Sequence, residues 1–170
     1  MAYSTLLEDY IFSLYQSIHI NEPNQLDLKV IASRLGINID YVNSSSKTLY
    51  APQEALILID RRLTVEKQWQ DFGHELGHLL RHCGSQLTLP PPFIEMQEWQ
   101  ANNFMYHFCV PSFMLEKISF PWRKKEVIAV IAHTFNVDTE FALERLERWL
   151  RQRESLYFYR QMNEAQQNGL

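Results

Sequence analysis

The chain is short of cysteine, of long apolar runs and of net positive charge, and each shortage excludes a class of protein. Cys83 and Cys109 are the only two cysteines among 170 residues. They match no metal-binding or redox spacing and read as reduced thiols in the cytoplasm. No apolar run approaches membrane-spanning length. Residues 1–20 lack a basic start followed by an uninterrupted apolar core, so no secretory leader is expected. Sixteen Lys and Arg stand against 20 Asp and Glu, a formal net charge of −4. That balance gives no support for bulk binding of nucleic acid or of a membrane surface. There is no internal repeat and no low-complexity segment. The length suits one domain, or one domain with an appendage, large enough to bury a core.

What the chain does have is His74-Glu75-Leu76-Gly77-His78. Two His four apart on a helix share a face, one turn apart, so both imidazoles can reach one ion. Zinc suits imidazole and carboxylate ligands. Glu75 lies between them in sequence, placed to reach a water rather than the ion, as a zinc-dependent peptidase requires. The plainer reading is an ordinary helix with a surface Glu and two incidental His. The flanking residues argue against it. Thr64 caps a helix start, and Trp69, Phe72, Leu76, Leu79 and Leu80 form an apolar stripe. Gly73 and Gly77 each cost on the order of 1 kcal/mol in a helix, which points to close approach by another backbone.

A zinc site needs a third protein ligand and one open position. A second helix is expected just after Pro90-Pro91-Pro92, with Glu98 about one turn in. Glu98 offers a carboxylate ligand. Asn102 shares its face four residues on and can accept the outer N–H of a liganding His, fixing its tautomer. Glu95, His82, His107 and Cys109 compete for the third position. His82 lies about 12 Å along a straight helix from His74, too far to share an ion unless the helix ends there. It reads more simply as a C-terminal residue favoured by the helix dipole.

Together these stretches resemble the ImmA/IrrE family of metallopeptidases, small bacterial, phage and mobile-element proteins distantly similar to thermolysin-type zinc peptidases. The family pattern pairs H-E-L-G-H with E-x-x-A-N-x-F some twenty residues later. Here it runs from His74 to His82 and from Glu98-Trp99-Gln100-Ala101-Asn102-Asn103-Phe104 to Val110-Pro111. Met105, Phe108, Cys109 and Gly73 depart from the residues usual in the family, and none is an expected ligand. The resemblance implies His74, His78 and Glu98 as ligands of one zinc ion per chain, with Glu75 as catalytic base. It also implies a zinc-dependent endopeptidase acting on a helix-turn-helix repressor encoded by the same mobile element or operon. The alternative is a non-catalytic regulatory protein that holds a repressor partner or DNA. The intact Glu75 favours the first, because a pure binder has no chemical use for it. An oxyanion-stabilising donor is also required. His133, Tyr106 and His107 are the candidates.

The layout is α+β. Residues 3–19 and Asp27–Leu35 read as helices, with a break at residues 21–24. Ile37–Val42, Thr48–Ala51 and Ala55–Ile59 read as strands of a small antiparallel sheet packed on a zincin-like active-site helix pair. Its edge strand would suit extended peptide backbone. Residues 84–93 read as a loop at the rim of the site. Residues 1–122 are taken as the metallopeptidase domain, and 123–170 as a helical C-terminal region that packs on it or stands apart. That region has a helix-turn-helix look, with a turn near Asn136. Arg145, Arg148, Arg151 and Arg153 offer phosphate contacts. Glu140, Glu144, Glu147 and Glu154 balance them at helical spacing, so direct nucleic-acid binding is not expected.

Overall fold

A computed structural model describes residues 4–51, 54–81 and 90–168. The N-terminal helix α1 (Leu6–Ser17) starts on a capping box: the Thr5 amide donates to Glu8 at 2.8 Å, and the Glu8 amide donates back to Thr5 at 3.3 Å. A short 3-10 turn at Pro23–Gln25 leads to α2 (Leu28–Arg34), capped by Asp27. Gly36 ends α2 at φ +69°, and the Ile37 amide reaches back to the Ala32 carbonyl at 2.9 Å. This is the left-handed exit that glycine makes without strain.

Three strands follow: β1 (Asn38–Val42), β2 (Lys47–Ala51) and β3 (Glu54–Asp60), in the spatial order β1-β3-β2. The expectation of an antiparallel sheet is corrected here. β3 runs antiparallel to β2 but parallel to β1, so the sheet is mixed. β3 carries the continuous apolar run Ala55–Ile59, with Ile57 and Ile59 fully buried. Such a strand is best covered on both faces and paired on both edges. It therefore takes the centre, between β1 with its polar Asn38 and Asp40, and β2 at the outer edge.

Helix α3 (Val65–Arg81) packs on this sheet, and α4 (Pro91–Cys109) packs along α3. The proline run does not precede α4 but starts it: Pro90 is the N-cap, and prolines fill the first two positions. There the missing N–H costs nothing and the fixed φ is already helical. Glu98 therefore sits two turns into the helix rather than one, and residues 91–93 are helix rather than loop. Residues 84–89 of that expected rim loop, with His82 and Cys83, lie outside the described residues.

After the short α5 (Ser112–Leu115) come α6 (Lys124–Phe135) and α7 (Thr139–Asn168), joined at Asn136 in the left-handed region with φ +53°. Ile131, Phe135, Phe141, Ala142 and Leu146 of this pair enter the same buried cluster as α1, α3 and α4. An aromatic column ties the layers together. Tyr15 stacks on Phe108 at 5.2 Å, Phe108 stacks on Phe104 at 5.5 Å, and the Tyr15 hydroxyl donates to the Phe108 carbonyl at 2.8 Å. No helix among the described residues is long and apolar enough to cross a membrane.

Candidate metal centre

The site begins with two glycines. A Cβ on Gly77 would lie 3.2 Å from the Ala101 Cα, and one on Gly73 would lie 2.7 Å from the Cys109 sulfur. Both therefore let α4 lie close against α3. Position 77 meets 101 while position 73 meets 105–109, so the helices run antiparallel. Glu98, one turn before Ala101, is thereby carried beside the two imidazoles.

The three groups converge. His74 Nε2 lies 3.0 Å from His78 Nε2. Glu98 Oε2 lies 3.3 Å from His74 Nε2, and Glu98 Oε1 lies 3.3 Å from His78 Nε2. The two rings meet edge to face at 4.7 Å. These separations test the fit of an ion. A tetrahedral zinc bound at about 2.0–2.1 Å holds its ligand atoms about 3.3–3.4 Å apart. Two imidazole nitrogens and a carboxylate at 3.0–3.3 Å match that edge length closely. Among the described residues, this is the group of His, Cys, Asp and Glu side chains whose ligand atoms all lie within 4.8 Å of one another.

Glu75 stands beside this group, half-buried. Burial raises its carboxyl pKa, opposed by a hydrogen bond from Thr48 and by the charge on His74. Thr48 Oγ1 lies 2.9 Å from Glu75 Oε2 and 2.9 Å from the Glu75 carbonyl oxygen. The sequence reading missed Thr48. Its partner is 27 residues away across a strand–helix packing, and the local pattern shows only a strand residue facing inward.

Other candidates lie elsewhere. Glu95 is exposed. Cys109 is buried against the Trp69 carbonyl at 3.6 Å, and burial pushes its thiol well above its usual range. Asn102 is exposed, and among the described residues no hydrogen bond joins it to His74 or His78. Ala101 is the residue that faces α3, and Asn102 is turned about 100° further round. Glu98 lies only about 60° from Ala101, and its longer side chain reaches the imidazoles.

Among the described residues, the contacts of the three oxyanion candidates also fall away from the site. Tyr106 stacks on Phe141 at 4.5 Å beneath the Arg148 guanidinium. His133 is exposed, in a groove with Asn21, Met114 and Lys117. His107 faces the opposite side of α4, with Arg145 Nη2 3.4 Å and Glu8 Oε1 3.9 Å from its Nδ1.

The arginines named as phosphate contacts are otherwise engaged. Arg145 is fully buried, donating to the Val110 carbonyl at 3.0 Å and to Ser112 at 2.7 Å. Its place among Phe141, Ala142, Leu146 and Trp149 on the apolar stripe of α7 was the sequence signal for that burial. Arg148 and Arg153 pair with Glu144 at 2.7 Å and Glu116 at 3.1 Å, and Arg151 lies 3.8 Å from Glu144.

Residues 24–147 match the IrrE N-terminal-like domain of the Peptidase M78 family. The phage-like element PBSX protein XkdA of Bacillus subtilis (strain 168) is 37% identical over 160 residues, covering 94% of this chain and 81% of that protein. The uncharacterized protein YqaB of the same organism is 37% identical over 145 residues, covering 85% of this chain and 84% of that one. A solved structure described as a Mycobacterium tuberculosis transcriptional regulator has a similar fold, with a TM-score of 0.58 at 16% identity. The match covers 85% of this chain and 47% of the regulator, so the chain spans about half of that protein's length.

Proposed function

The chain belongs to the IrrE N-terminal-like (Peptidase M78) family, and on that premise we propose that it is a zinc-dependent endopeptidase that cuts a helix-turn-helix repressor encoded by the same mobile element or operon. One observation carries the reading: His74 Nε2, His78 Nε2 and the Glu98 carboxylate converge at 3.0–3.3 Å beside a half-buried Glu75. His74, His78 and Glu98 would hold one zinc ion. When bound, zinc supplies Lewis acidity, polarising a peptide carbonyl and lowering the pKa of a water to about 7.

The chain's own residues do the rest. Glu75 takes the proton of the attacking water at its carboxylate and returns it to the leaving amine. The partial burial that raises its pKa makes it a stronger acceptor than an exposed carboxylate. β2 is one of the two edge strands of the sheet and borders α3, so an extended peptide added along it would lie beside Glu75. The mobile-element setting is supported by the phage-like element to which the relative XkdA is assigned.

The test incubates the zinc-loaded chain with the repressor encoded beside it, with and without chelator. Wild type should cut and Glu75→Gln should not, because the amide keeps the volume but cannot take the proton. Equal cutting by both proteins rules out Glu75 as the base. Binding of the repressor by both with cutting by neither supports a partner-holding role instead.

A further inference from the structure

The connection between β2 and the active-site helix has a regular chemical pattern. Ser46 and Thr48 are half-buried, while Lys47 and Leu49 are exposed, so the two hydroxyls share the inward face. On α3, Asp71 and Glu75 are four residues apart and share the face opposite them. Ser46 donates to Asp71 Oδ2, and Thr48 lies 2.9 Å from Glu75 Oε2. Two residues of strand advance about 6.6–6.8 Å. Four residues of helix separate Cβ atoms by about 5–6 Å. The two spacings agree closely enough for both contacts to form at once. Ser46 is itself anchored, accepting from the Asp60 amide at 3.0 Å at the end of β3.

We propose that Thr48 is a positioning residue for the base Glu75, and that Ser46 with Asp71 holds the register in which Thr48 does this. The proposal rests on the reading of Glu75 as base. A slip of β2 by one residue would turn both hydroxyls to solvent and bring Lys47 and Leu49 inward. The contact fixes one Glu75 oxygen and leaves the other to face the reacting water. The Thr48 hydroxyl has one hydrogen and two acceptors at equal distance, Glu75 Oε2 and the Glu75 carbonyl. While Glu75 carries the water's proton on Oε1, Oε2 stays an acceptor, and the Thr48 hydrogen can remain on it or turn to the carbonyl. No backbone movement is needed. A peptide paired with the outer edge of β2 is thus held in register with the base by the same strand that orients it.

The test uses the zinc-loaded full chain as wild type, Thr48→Val, Thr48→Ser, Ser46→Ala and Glu75→Gln. Each is assayed on a peptide library made by digesting a bacterial proteome, with new termini read by mass spectrometry and kinetics on the best-cut peptide. Thr48→Val should keep its zinc and its KM within about 2-fold while kcat falls about 10–100-fold, the usual loss for a supporting hydrogen bond at such a site. Thr48→Ser, which keeps the hydroxyl, should recover most of that loss. Ser46→Ala should lie between wild type and Thr48→Val. An unchanged kcat in Thr48→Val, or a Thr48→Ser as poor as Thr48→Val, overturns the proposal. A second measurement needs no turnover: urea unfolding midpoints of Thr48→Val, Glu75→Ala and the double variant. The shifts should be non-additive if the two side chains touch. Additive shifts overturn the contact itself. Non-additive shifts with no cutting by wild type overturn the base reading instead, leaving Thr48 a purely structural partner.

Discussion

Two clusters built from the same residue types flank α4. Glu98 reaches one side to meet His74 and His78. His107, nine residues on and so half a circle round the helix, meets Glu8 and Arg145 on the other. In the first cluster, two imidazole nitrogens and a carboxylate point at a common centre. In the second, a fixed guanidinium sits among the partners. Arg145 donates to Ser112, which in turn donates to Glu8, and Gln152 also donates to Glu8.

The electrostatics follow from that difference. Burial, followed by the Arg145 charge and opposed by Glu8, holds the His107 imidazole down to about 3. Burial pushes the Glu8 carboxyl up, but hydrogen bonds from Ser112, the Thr5 backbone and Gln152 bring it below its ordinary value. Histidine and glutamate together are therefore only candidates for a metal site. What the fold places between them decides whether the lone pairs are offered to an ion or already satisfied.

The largest expected effect is on metal content. Elemental analysis after dialysis should find about one zinc per chain in wild type and background levels in His78→Ala. His107→Gln should keep its zinc. Equal zinc in wild type and His78→Ala would remove the distinction between the two clusters.

Stability should respond in the opposite sense. Arg145→Ala strips the buried network of its cation and leaves Glu8 and the Val110 carbonyl without it. Removing one partner from a buried charged network costs about 3–5 kcal/mol. In metal-free protein, His74→Ala should cost about 1 kcal/mol, since it removes a half-buried imidazole whose contacts are to His78 and the part-exposed Glu98. Urea unfolding of both variants in chelator measures the contrast, and similar losses would refute it.

This contrast also marks what could be read in the sequence. The shared face of His74 and His78 was legible because helical periodicity fixes it, whereas the choice of Glu98 over Glu95, His82, His107 and Cys109 came from the family resemblance. The glycines at 73 and 77 were legible because their cost in a helix needs a compensating close approach. The pairing of Thr48 with Glu75 and of Arg145 with Ser112 was not, because each joins elements far apart in sequence. The parallel pairing of β1 with β3 was hidden likewise. Three short strands read singly do not say which lies in the middle, although the unbroken apolar run of β3 was a hint.

A smaller effect concerns pH. An unfolded His titrates near about 6.5, whereas the buried His107 titrates at about 3. Between these values the unfolded chain takes up a proton that the folded chain refuses, so folding loses stability as pH falls through that window. Above about 6.5 both states are neutral and the penalty vanishes. His107→Gln removes the group, so its unfolding midpoint should decline less steeply than that of wild type from pH 6.5 to pH 4. The difference should reach on the order of a few kcal/mol. Parallel declines would mean that His107 is not held neutral by burial and Arg145.

Gly77→Ala bears on how closely α3 and α4 must lie. The new methyl would press on Ala101 Cα at 3.2 Å and Phe104 at 3.1 Å. Overpacking of this kind costs about 1–3 kcal/mol, against a helix-propensity gain of about 1 kcal/mol. The net loss should be modest, but zinc affinity should fall too, because the strain moves Glu98 away from the imidazoles. A stability loss with unchanged zinc affinity would separate the packing of the pair from the geometry of the site.

The smallest effect is expected at Asn102. Its position one turn beyond Glu98 suggests a support for a liganding imidazole, and loss of such a support typically costs 10–100-fold in metal affinity or activity. The structure turns it to solvent instead. Exposed helix positions without partners tolerate substitution within about 0.5 kcal/mol, and Ala is also the better helix former. Asn102→Ala should therefore match wild type in zinc titration and unfold at an equal or slightly higher urea concentration. A 10-fold or greater loss of zinc affinity would mean that Asn102 swings inward when the ion is bound. The contact sphere of the first cluster would then extend one turn further along α4.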